Sequence, residues 1–452
     1  MVTLVSIFPP ASRSIQPPAS ATADRCLVLC RILLLGLLFL PVAAQPASAD
    51  CAESERPLRI AAVAFEGNAV TRRSTLMQEL RFREGDAVCR AALEFGRQAI
   101  QDLGLFRRVA LEIQALQAGE VKVIYRLTER WYLLPIPRVD ANSDAEYGYG
   151  LKLKWNNIGG FNHRLELDAV RRELRERTTT GESTLDGSYL WRRVRGTTNT
   201  LVFRGGYREE DASDGDRLFQ DRETHFGVGI SRQLTSTRTG QGWQARAGLG
   251  WLYGTKRGEA APPDDGRLWR LSLGAAYREV RDLVYSERGT KASIGVSTHL
   301  PRLSDYDQLL LQGQWARFQP VGRRAHQALH WIAEAGTYHG GPTARRNDRF
   351  QLGGDEAMRG YEQESAEGDA YWRVAGLFLR PLYWDWLRAL VALELGDTLH
   401  SSFPQRDTPV LASLAIGLRI RITWFVDTEV ELGIGFPLRD GEGPHVFASS
   451  ID

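Results

Sequence analysis

One glycine-rich segment holds residues whose types and spacing could act together. It contains Gly353, Gly354, Arg359, Gly360 and Tyr361. The guanidinium of an arginine stays charged and presents a rigid fork of donors, so its characteristic chemistry is paired hydrogen bonding to a carboxylate. Glycine adopts backbone conformations that are closed to other residues, which lets such a segment turn sharply in a confined space. The segment therefore predicts a sharply turning loop whose arginine has the chemistry to pair with a carboxylate.

Motifs for enzyme chemistry are not found elsewhere in the sequence. His326 and His330 have the spacing of a zinc-protease helix, but the surrounding period is that of a strand and no intervening glutamate is present. The sequence contains no Gly-x-Ser-x-Gly elbow, phosphate loop, haem motif or paired-cysteine metal motif. We therefore expect a protein that is not an enzyme and that uses no metal or other cofactor.

The N-terminal 49 residues have the three regions of a secretory signal peptide. A stretch containing Arg25 precedes the apolar run 32–42, and the small residues Ala47–Ala49 follow it. The apolar run is too short for a membrane-spanning helix, which needs roughly 20 apolar residues. We therefore assign residues 1–49 to a signal peptide and expect the rest of the chain to be exported.

Two cysteines remain in the exported part, Cys51 and Cys89. Disulfides persist outside the cytoplasm, so the sequence predicts a bridge between these two residues. The alternative is two free thiols at separate surface sites.

Residues 50–129 predict a small α+β domain. The element order is strand, helix, helix, strand, strand, with Thr71 as the predicted cap of a first helix that runs to Leu80. A second helix is predicted over 90–103, before Gly104, because glycine tolerates the positive φ that is common just after a helix.

From residue 130 to residue 452 the hydrophobic period is two. In the stretch 414–422, Leu and Ile alternate with Ala, Gly and Arg, so apolar residues share one face. About sixteen such segments follow one another without an intervening helix. The high content of glycine and aromatic residues (Gly 44, Trp 12, Tyr 14) suits strands that need an apolar residue only at every second position. The pattern predicts an all-β transmembrane barrel of about 16 antiparallel strands, with lipid outside and a polar lumen.

The glycine-rich segment falls in a long connection, 340–367, between two predicted barrel strands. A barrel of this width cannot be filled by wall side chains alone, so an internal loop can plug it, brace it or move. In the predicted strand 387–397, apolar residues such as Leu393 face lipid, and Glu394 therefore faces the lumen. Because an unpaired buried guanidinium is costly, we predict that Arg359 contacts Glu394. The alternative places Arg359 on a solvated surface loop.

Two groups of residues resemble one protein family. The N-terminal group is similar in type and order to a POTRA domain, and it comprises Phe65–Asn68, Gly85, Leu103–Val109 and Leu127–Glu129. The glycine-rich segment resembles the signature loop of the bacterial surface-antigen superfamily, which includes BamA-type and TamA-type outer-membrane proteins and two-partner secretion transporters. The resemblance implies a single POTRA domain over 50–129, a barrel over 130–452, and a loop that folds into the barrel to bring Arg359 to an acid on the thirteenth strand.

Two positions depart from the family pattern. The family usually has an aromatic residue and an aspartate on the thirteenth strand, where this chain has Ala392-Leu393-Glu394. Family members also commonly end with an aromatic residue close to the terminus, whereas Phe447 lies several residues inside.

The resemblance implies an outer-membrane protein assembly or protein translocation factor, whose POTRA domain and barrel strands bind unfolded client polypeptides. The expected location is the outer membrane of a Gram-negative bacterium, with the N-terminal domain in the periplasm. Expected partners are outer-membrane lipid and lipopolysaccharide and unfolded outer-membrane or secreted proteins, with a periplasmic or inner-membrane partner protein as a further option. The near balance of 57 basic and 55 acidic residues gives no reason to expect nucleic acid. The alternative function is a passive outer-membrane pore or surface antigen without assembly activity.

Overall fold

The structure is a computed structural model. It describes residues 57–451 except 117–118, 142–145, 175–179, 215–216, 236–237, 259–264, 341–349, 356, 363–364, 400–409, 427 and 442. The predicted signal peptide and Cys51 lie outside the described residues.

The N-terminal domain is a four-stranded sheet that shares one core with two helices. Its elements are β1 (Leu58–Glu66), α1 (Arg73–Met77), β2 (Ala87–Val88), α2 (Arg90–Gln101), β3 (Phe106–Ala115) and β4 (Glu120–Glu129). The strand order is β2–β1–β4–β3, with β1 parallel and β3 antiparallel to β4. Ile60 from the sheet packs with Leu76 and Leu93 from the two helices, and burial of these side chains stabilises the domain.

The first helix is shorter than predicted. α1 follows Arg72 and has no side-chain cap. The prediction that Thr71 caps it is wrong, because the Thr71 hydroxyl donates to Glu129 at the end of β4 instead. α2 ends at Gln101, and Gly104 beyond it adopts a φ of +74°. Among the described residues, neither helix is long and apolar enough to cross a membrane.

The remainder of the chain forms a 16-stranded antiparallel barrel with one internal hairpin. The strands before the hairpin are β5 (Leu133–Ala141), β6 (Glu146–Ile158), β7 (His163–Leu174), β8 (Thr180–Trp191), β9 (Asn199–Asp214), β10 (Arg217–Gln233), β11 (Gly242–Arg257), β12 (Gly266–Asp282), β13 (Glu287–His299), β14 (Leu309–Pro320) and β15 (Ala328–His339). The hairpin is β16 (Phe350–Leu352) and β17 (Ala366–Gly368). The strands after it are β18 (Ala370–Pro381), β19 (Leu387–Leu399), β20 (Leu411–Arg421), β21 (Glu429–Pro437) and β22 (His445–Ile451).

The two faces of the barrel wall are apolar outside and polar inside. On β19, Leu393 and Leu395 are exposed, whereas Glu394 between them is buried. Other charged side chains of the wall, such as Lys154 on β6 and Arg388 on β19, are likewise buried in the interior. This arrangement inverts that of a water-soluble sandwich and confirms the predicted barrel, since an outward apolar row suits contact with lipid.

The strands β5 and β22 form the two ends of the 16-stranded sheet, and we call the boundary between them the seam. β5 is paired with β6 and β22 with β21. Just before β5, the backbone N–H of Trp131 donates to the Trp424 carbonyl oxygen at 2.7 Å, and Trp131 forms an isolated bridge with Phe425. Within the described ranges, no continuous ladder crosses the seam from β5 to β22.

Candidate functional site

The connection between β15 and β18 folds back against the inner wall of the barrel. We call its tip, residues 353–362, the luminal loop. Met358 and Tyr361 of this loop are buried in one cluster with Leu352, Ala366 and the wall residue Leu411. Burial of these apolar side chains holds the loop on the wall.

Glycines let the luminal loop turn and lie close to the wall. Gly353 adopts a φ of +129°, and a side chain there would collide with the backbone carbonyl of Glu362. A Cβ on Gly360 would lie 2.8 Å from the backbone of Phe436 on β21 and 2.8 Å from Ser413 on β20. Real Cβ contacts are essentially never that short, so the loop can approach the wall this closely only with glycine at position 360.

Gly354 and Tyr361 close the luminal loop. The Gly354 N–H donates to the Tyr361 carbonyl oxygen at 3.0 Å, and the Met358 N–H donates to the Gly354 carbonyl oxygen at 3.0 Å. The Tyr361 hydroxyl accepts the Ala412 backbone N–H at 3.1 Å and donates to the Arg439 carbonyl oxygen. Both ends of the loop tip are therefore fixed by hydrogen bonds.

Arg359 is buried and connects the luminal loop to three wall strands. Its backbone N–H donates to Glu394 Oε2 on β19 at 2.8 Å, and its guanidinium donates to Glu394 Oε1. The other guanidinium nitrogen, Nη2, donates to Glu431 Oε2 on β21 at 2.7 Å. Its Cζ atom lies 5.5 Å from the ring centroid of Phe447 on β22. A planar fork of donors can direct separate nitrogens at two carboxylates at once, whereas an ammonium is a compact point charge on a single nitrogen.

The two acids also contact arginines of the wall. Glu394 accepts hydrogen bonds from Arg373 Nη2 at 3.2 Å and from Ser413 Oγ at 3.0 Å. Glu431 pairs with Arg419 on the neighbouring strand β20. Both carboxylates have no exposed surface, so their desolvation must be offset by these positive and hydroxyl neighbours.

The structure places Arg359 against Glu394, as the alternation of β19 predicts, and adds Glu431 as a second acid. The sequence carries a signal for Glu431. Leu432 and Ile434 are exposed on the outer face of β21, so Glu431 lies on the inner face by the same alternation. Phe447 is fully buried while its neighbour Val446 is 80% exposed, so the last aromatic residue faces the lumen and not the outside.

The N-terminal domain is held against turns at one end of the barrel, which we call the near end. Two residues after α1, Glu79 Oε1 lies 3.0 Å from Arg193 Nη2 in the β8–β9 turn. Glu79 Oε2 accepts the backbone N–H of Thr239 in the β10–β11 turn at 2.9 Å. The Glu79 side chain is almost fully buried, so this one carboxylate joins the domain to two turns.

A second contact at the near end centres on Asp102, the residue after α2. Its carboxylate accepts the Asp282 backbone N–H at 3.0 Å and pairs with Arg238. Burial raises the pKa of Asp102, although the neighbouring Arg238 acts in the opposite direction. Asp282 itself lies 3.4 Å from both Arg130 and Arg421. Turns from several parts of the barrel therefore bind one side of the domain.

The cysteine and the two histidines named above take part in structural contacts. Cys89 is disulfide-bonded, and its predicted partner Cys51 lies outside the described residues. His330 is buried in the lumen, with its ring 4.8 Å from that of Phe318. His326 lies in the β14–β15 turn, 3.0 Å from the Ser286 hydroxyl. In the described part of the chain, no group of three or more His, Cys, Asp or Glu side chains could hold a metal ion.

Comparison with known proteins agrees with this architecture. Residues 58–130 match the family model described as POTRA, the surface antigen variable number repeat. The chain is a barrel with one POTRA domain. This confirms the resemblance seen in the N-terminal sequence, and the four-stranded sheet of β1–β4 is the body of that POTRA domain.

Three solved structures share the fold at low sequence identity. BamA from Haemophilus ducreyi lacking POTRA domains 1–3 is 15% identical with a TM-score of 0.53, and the match covers 87% of this chain and 84% of that one. CdiB from Acinetobacter baumannii is 15% identical with a TM-score of 0.59, over 85% of this chain and 71% of that one. CdiB from Escherichia coli is 15% identical with a TM-score of 0.58, over 86% of this chain and 75% of that one.

Proposed function

We propose that this protein is an outer-membrane assembly or protein translocation factor that binds unfolded client polypeptides. Its location would be the outer membrane of a Gram-negative bacterium, with the POTRA domain in the periplasm. Its partners would be outer-membrane lipid and lipopolysaccharide, client proteins, and a periplasmic or inner-membrane protein that delivers them. Its action would be binding and release of clients, without enzymatic chemistry.

The observation that carries the proposal is the position of the luminal loop relative to the seam. Arg359 ties the loop to β19 and β21 and contacts Phe447 on β22, the strand that borders the seam. Desolvation of a buried ion-pair cluster is offset only while its charged groups stay closely aligned, so these pairs favour one position of the loop. A free strand edge beside an internally braced loop can accept an extended polypeptide by strand addition.

The POTRA domain supports the same proposal. It is docked at the near end by Glu79 and Asp102, with β2 and β3 as the outer strands of its sheet. An outer strand of a sheet offers backbone donors and acceptors to a client in extended conformation. A docked domain would hold such a client close to the barrel.

The test is depletion of the protein in its host, followed by quantitative mass spectrometry of purified outer membranes and of secreted proteins. Loss of specific barrel or secreted proteins, with restoration by the wild-type chain and poor restoration by Arg359→Ala, supports the proposal. The matched control is Arg323→Ala, which changes an exposed arginine in the β14–β15 turn. Unchanged protein composition together with altered solute leakage would instead support a passive pore or surface antigen.

A further inference from the structure

Three arginines lie side by side on the outer face of the barrel wall at the near end. Arg281 on β12 is the cross-strand partner of Arg288 on β13, and Arg317 on β14 is the partner of Thr290. Exposed Ile294 marks the even-numbered positions of β13 as the outward ones, and cross-strand partners share a face. All three arginines are exposed, and we call them the arginine row.

The arginine row carries positive charge that the protein does not neutralise. Within the residues that the structure describes, none of the three side chains forms an ion pair or a hydrogen bond. An acid on the same face, Glu279, accepts the hydroxyl of Tyr277 at 2.6 Å. The arginines of the lumen, in contrast, are paired with acids. The donors of the arginine row are therefore available to an anion outside the barrel.

The wall is shaped to receive an anionic group between two of these arginines. A cleft of about 360 Å³ lies between Arg288 and Arg317, and Thr290 and Gln319 are among its lining residues. A guanidinium group presents a fork of donors that matches the oxygens of a phosphate. Two such forks beside a hydroxyl and an amide can bind one phosphate from several directions.

Aromatic residues of the outer wall place the arginine row at the depth of lipid headgroups. Trp243 and Tyr277 are cross-strand partners with ring centroids 5.2 Å apart, and exposed Trp315 and Trp331 continue the same belt on β14 and β15. Aromatic belts of membrane barrels lie where the hydrocarbon meets the headgroups. Arg317 follows Trp315 by two residues toward the near-end turn, so its guanidinium lies on the headgroup side of the belt.

We propose that the arginine row binds the headgroup of an anionic phospholipid in the periplasmic leaflet. This inference rests on the membrane location in the proposed function and names the lipid and its site. The row brings three positive charges against the single negative charge of Glu279, which favours an anionic headgroup over a zwitterionic one. The phosphate would lie in the cleft between Arg288 and Arg317, with Arg281 beside it.

The site lies across the barrel from the seam. Counted from β5, the strands β12, β13 and β14 are the eighth, ninth and tenth of the sheet. Beside the seam, the outward positions near the same end are apolar, as in the cross-strand pair of Ile420 and Val430. Interfacial arginines and aromatic residues set the tilt of a membrane protein. Anchoring at the arginine row would therefore fix the depth of the wall opposite the seam.

The experiment uses the full mature chain in nanodiscs of phosphatidylethanolamine. The probe is phosphatidylglycerol with a photo-crosslinking group beside its headgroup, added at increasing mole fraction, and mass spectrometry locates the label. We expect label on β12 to β14 and half-saturation at a lower mole fraction than for a phosphatidylethanolamine probe with the same group. Arg281→Gln, Arg288→Gln and Arg317→Gln should each raise the half-saturating fraction about fivefold, the contribution of one basic residue near a membrane surface.

The matched control changes the net charge without touching the site. The triple glutamine variant of the arginine row is compared with Arg83→Gln, Arg107→Gln and Arg108→Gln combined, which alters three exposed arginines of the POTRA domain. The control should leave the half-saturating fraction unchanged. Arg288→Lys combined with Arg317→Lys keeps both charges and should lose less than the corresponding glutamine pair. Gel mobility without heating, in which folded barrels migrate differently from unfolded ones, verifies that each variant is folded.

The results separate this inference from the proposed function. Label spread evenly around the wall, equal half-saturation by the two lipid probes, or equal losses in the triple variant and its control would overturn the inference. These outcomes leave the depletion experiment untouched. Conversely, specific label at the arginine row with an unchanged outer-membrane composition after depletion would uphold the lipid site and reject the assembly function.

Discussion

Replacement of Arg359 by alanine should loosen the luminal loop and lower the stability of the barrel. The change leaves Glu394 and Glu431 buried without the guanidinium that bridges them. Breaking a buried ion pair costs roughly 3–5 kcal/mol. Because Arg373 and Arg419 remain beside the two acids, we expect the lower part of that range, roughly 3 kcal/mol.

The assay is urea unfolding of the protein in lipid vesicles, followed by tryptophan fluorescence. Arg359→Lys keeps the charge but replaces the two separate guanidinium nitrogens with one, so it should cost roughly 1–2 kcal/mol. A double-mutant cycle of Arg359→Ala with Glu431→Gln should show a coupling of roughly 1–3 kcal/mol. The exposed control Arg323→Ala should change the free energy of unfolding by less than about 0.5 kcal/mol.

A coupling of zero between Arg359 and Glu431 would refute the bridging geometry. Equal unfolding free energies for Arg359→Ala and Arg323→Ala would refute the view that the loop braces the wall. A cycle with Glu394→Gln distinguishes the two acids, and a loop held by Glu394 alone would show coupling only in that cycle.

Three further predictions concern the loop, the domain contact and pH. Gly360→Ala should lower the free energy of unfolding by roughly 1–3 kcal/mol in the same assay because the new Cβ collides with the wall. The control Gly254→Ala should leave the free energy of unfolding unchanged, because its Cβ would lie 3.9 Å from the nearest atom. Arg238→Ala leaves Asp102 buried without its guanidinium, so spin labels on α2 and on the near-end turns should give a broader distance distribution than in the wild type. The pKa of Glu84 is lowered because the Val63 N–H and Arg73 donate to its carboxylate. The stabilising effect of Glu84 is therefore complete above the ordinary pKa of 4.5 and is lost as pH falls through the lowered pKa. Thermal unfolding of Glu84→Gln should depend less steeply on pH than that of the wild type in this acidic window.

The barrel could be predicted from the sequence because each strand carries its own signal. On β20, Ile416 is exposed on the outer face and Ser413 is buried on the polar inner face. The alternation of apolar and polar residues within one segment therefore encodes both faces of the wall. The same alternation placed Glu394 on the inner wall without knowledge of its neighbours. The sixteen predicted strands agree with the sixteen of the sheet for this reason.

Contacts that depend on the placement of whole elements could not be predicted. Glu431 lies on the predictable face of β21, but only the closed barrel shows that it comes within reach of Arg359. Thr71 has the residue type of a helix cap, and its contact with Glu129 depends on the neighbouring strand. The pairing of Glu79 with Arg193 and Thr239 likewise requires the position of the domain against the turns.

The most direct test of the assembly proposal is reconstitution. The purified protein would be placed in lipid vesicles, and the outer-membrane protein most reduced by depletion would be added in unfolded form, with folding followed by protease protection and gel mobility without heating. We predict faster folding with the wild-type chain than with empty vesicles, a smaller gain with Arg359→Ala, and a full gain with Arg323→Ala. Equal folding rates in vesicles with and without the wild-type protein would contradict the assembly function.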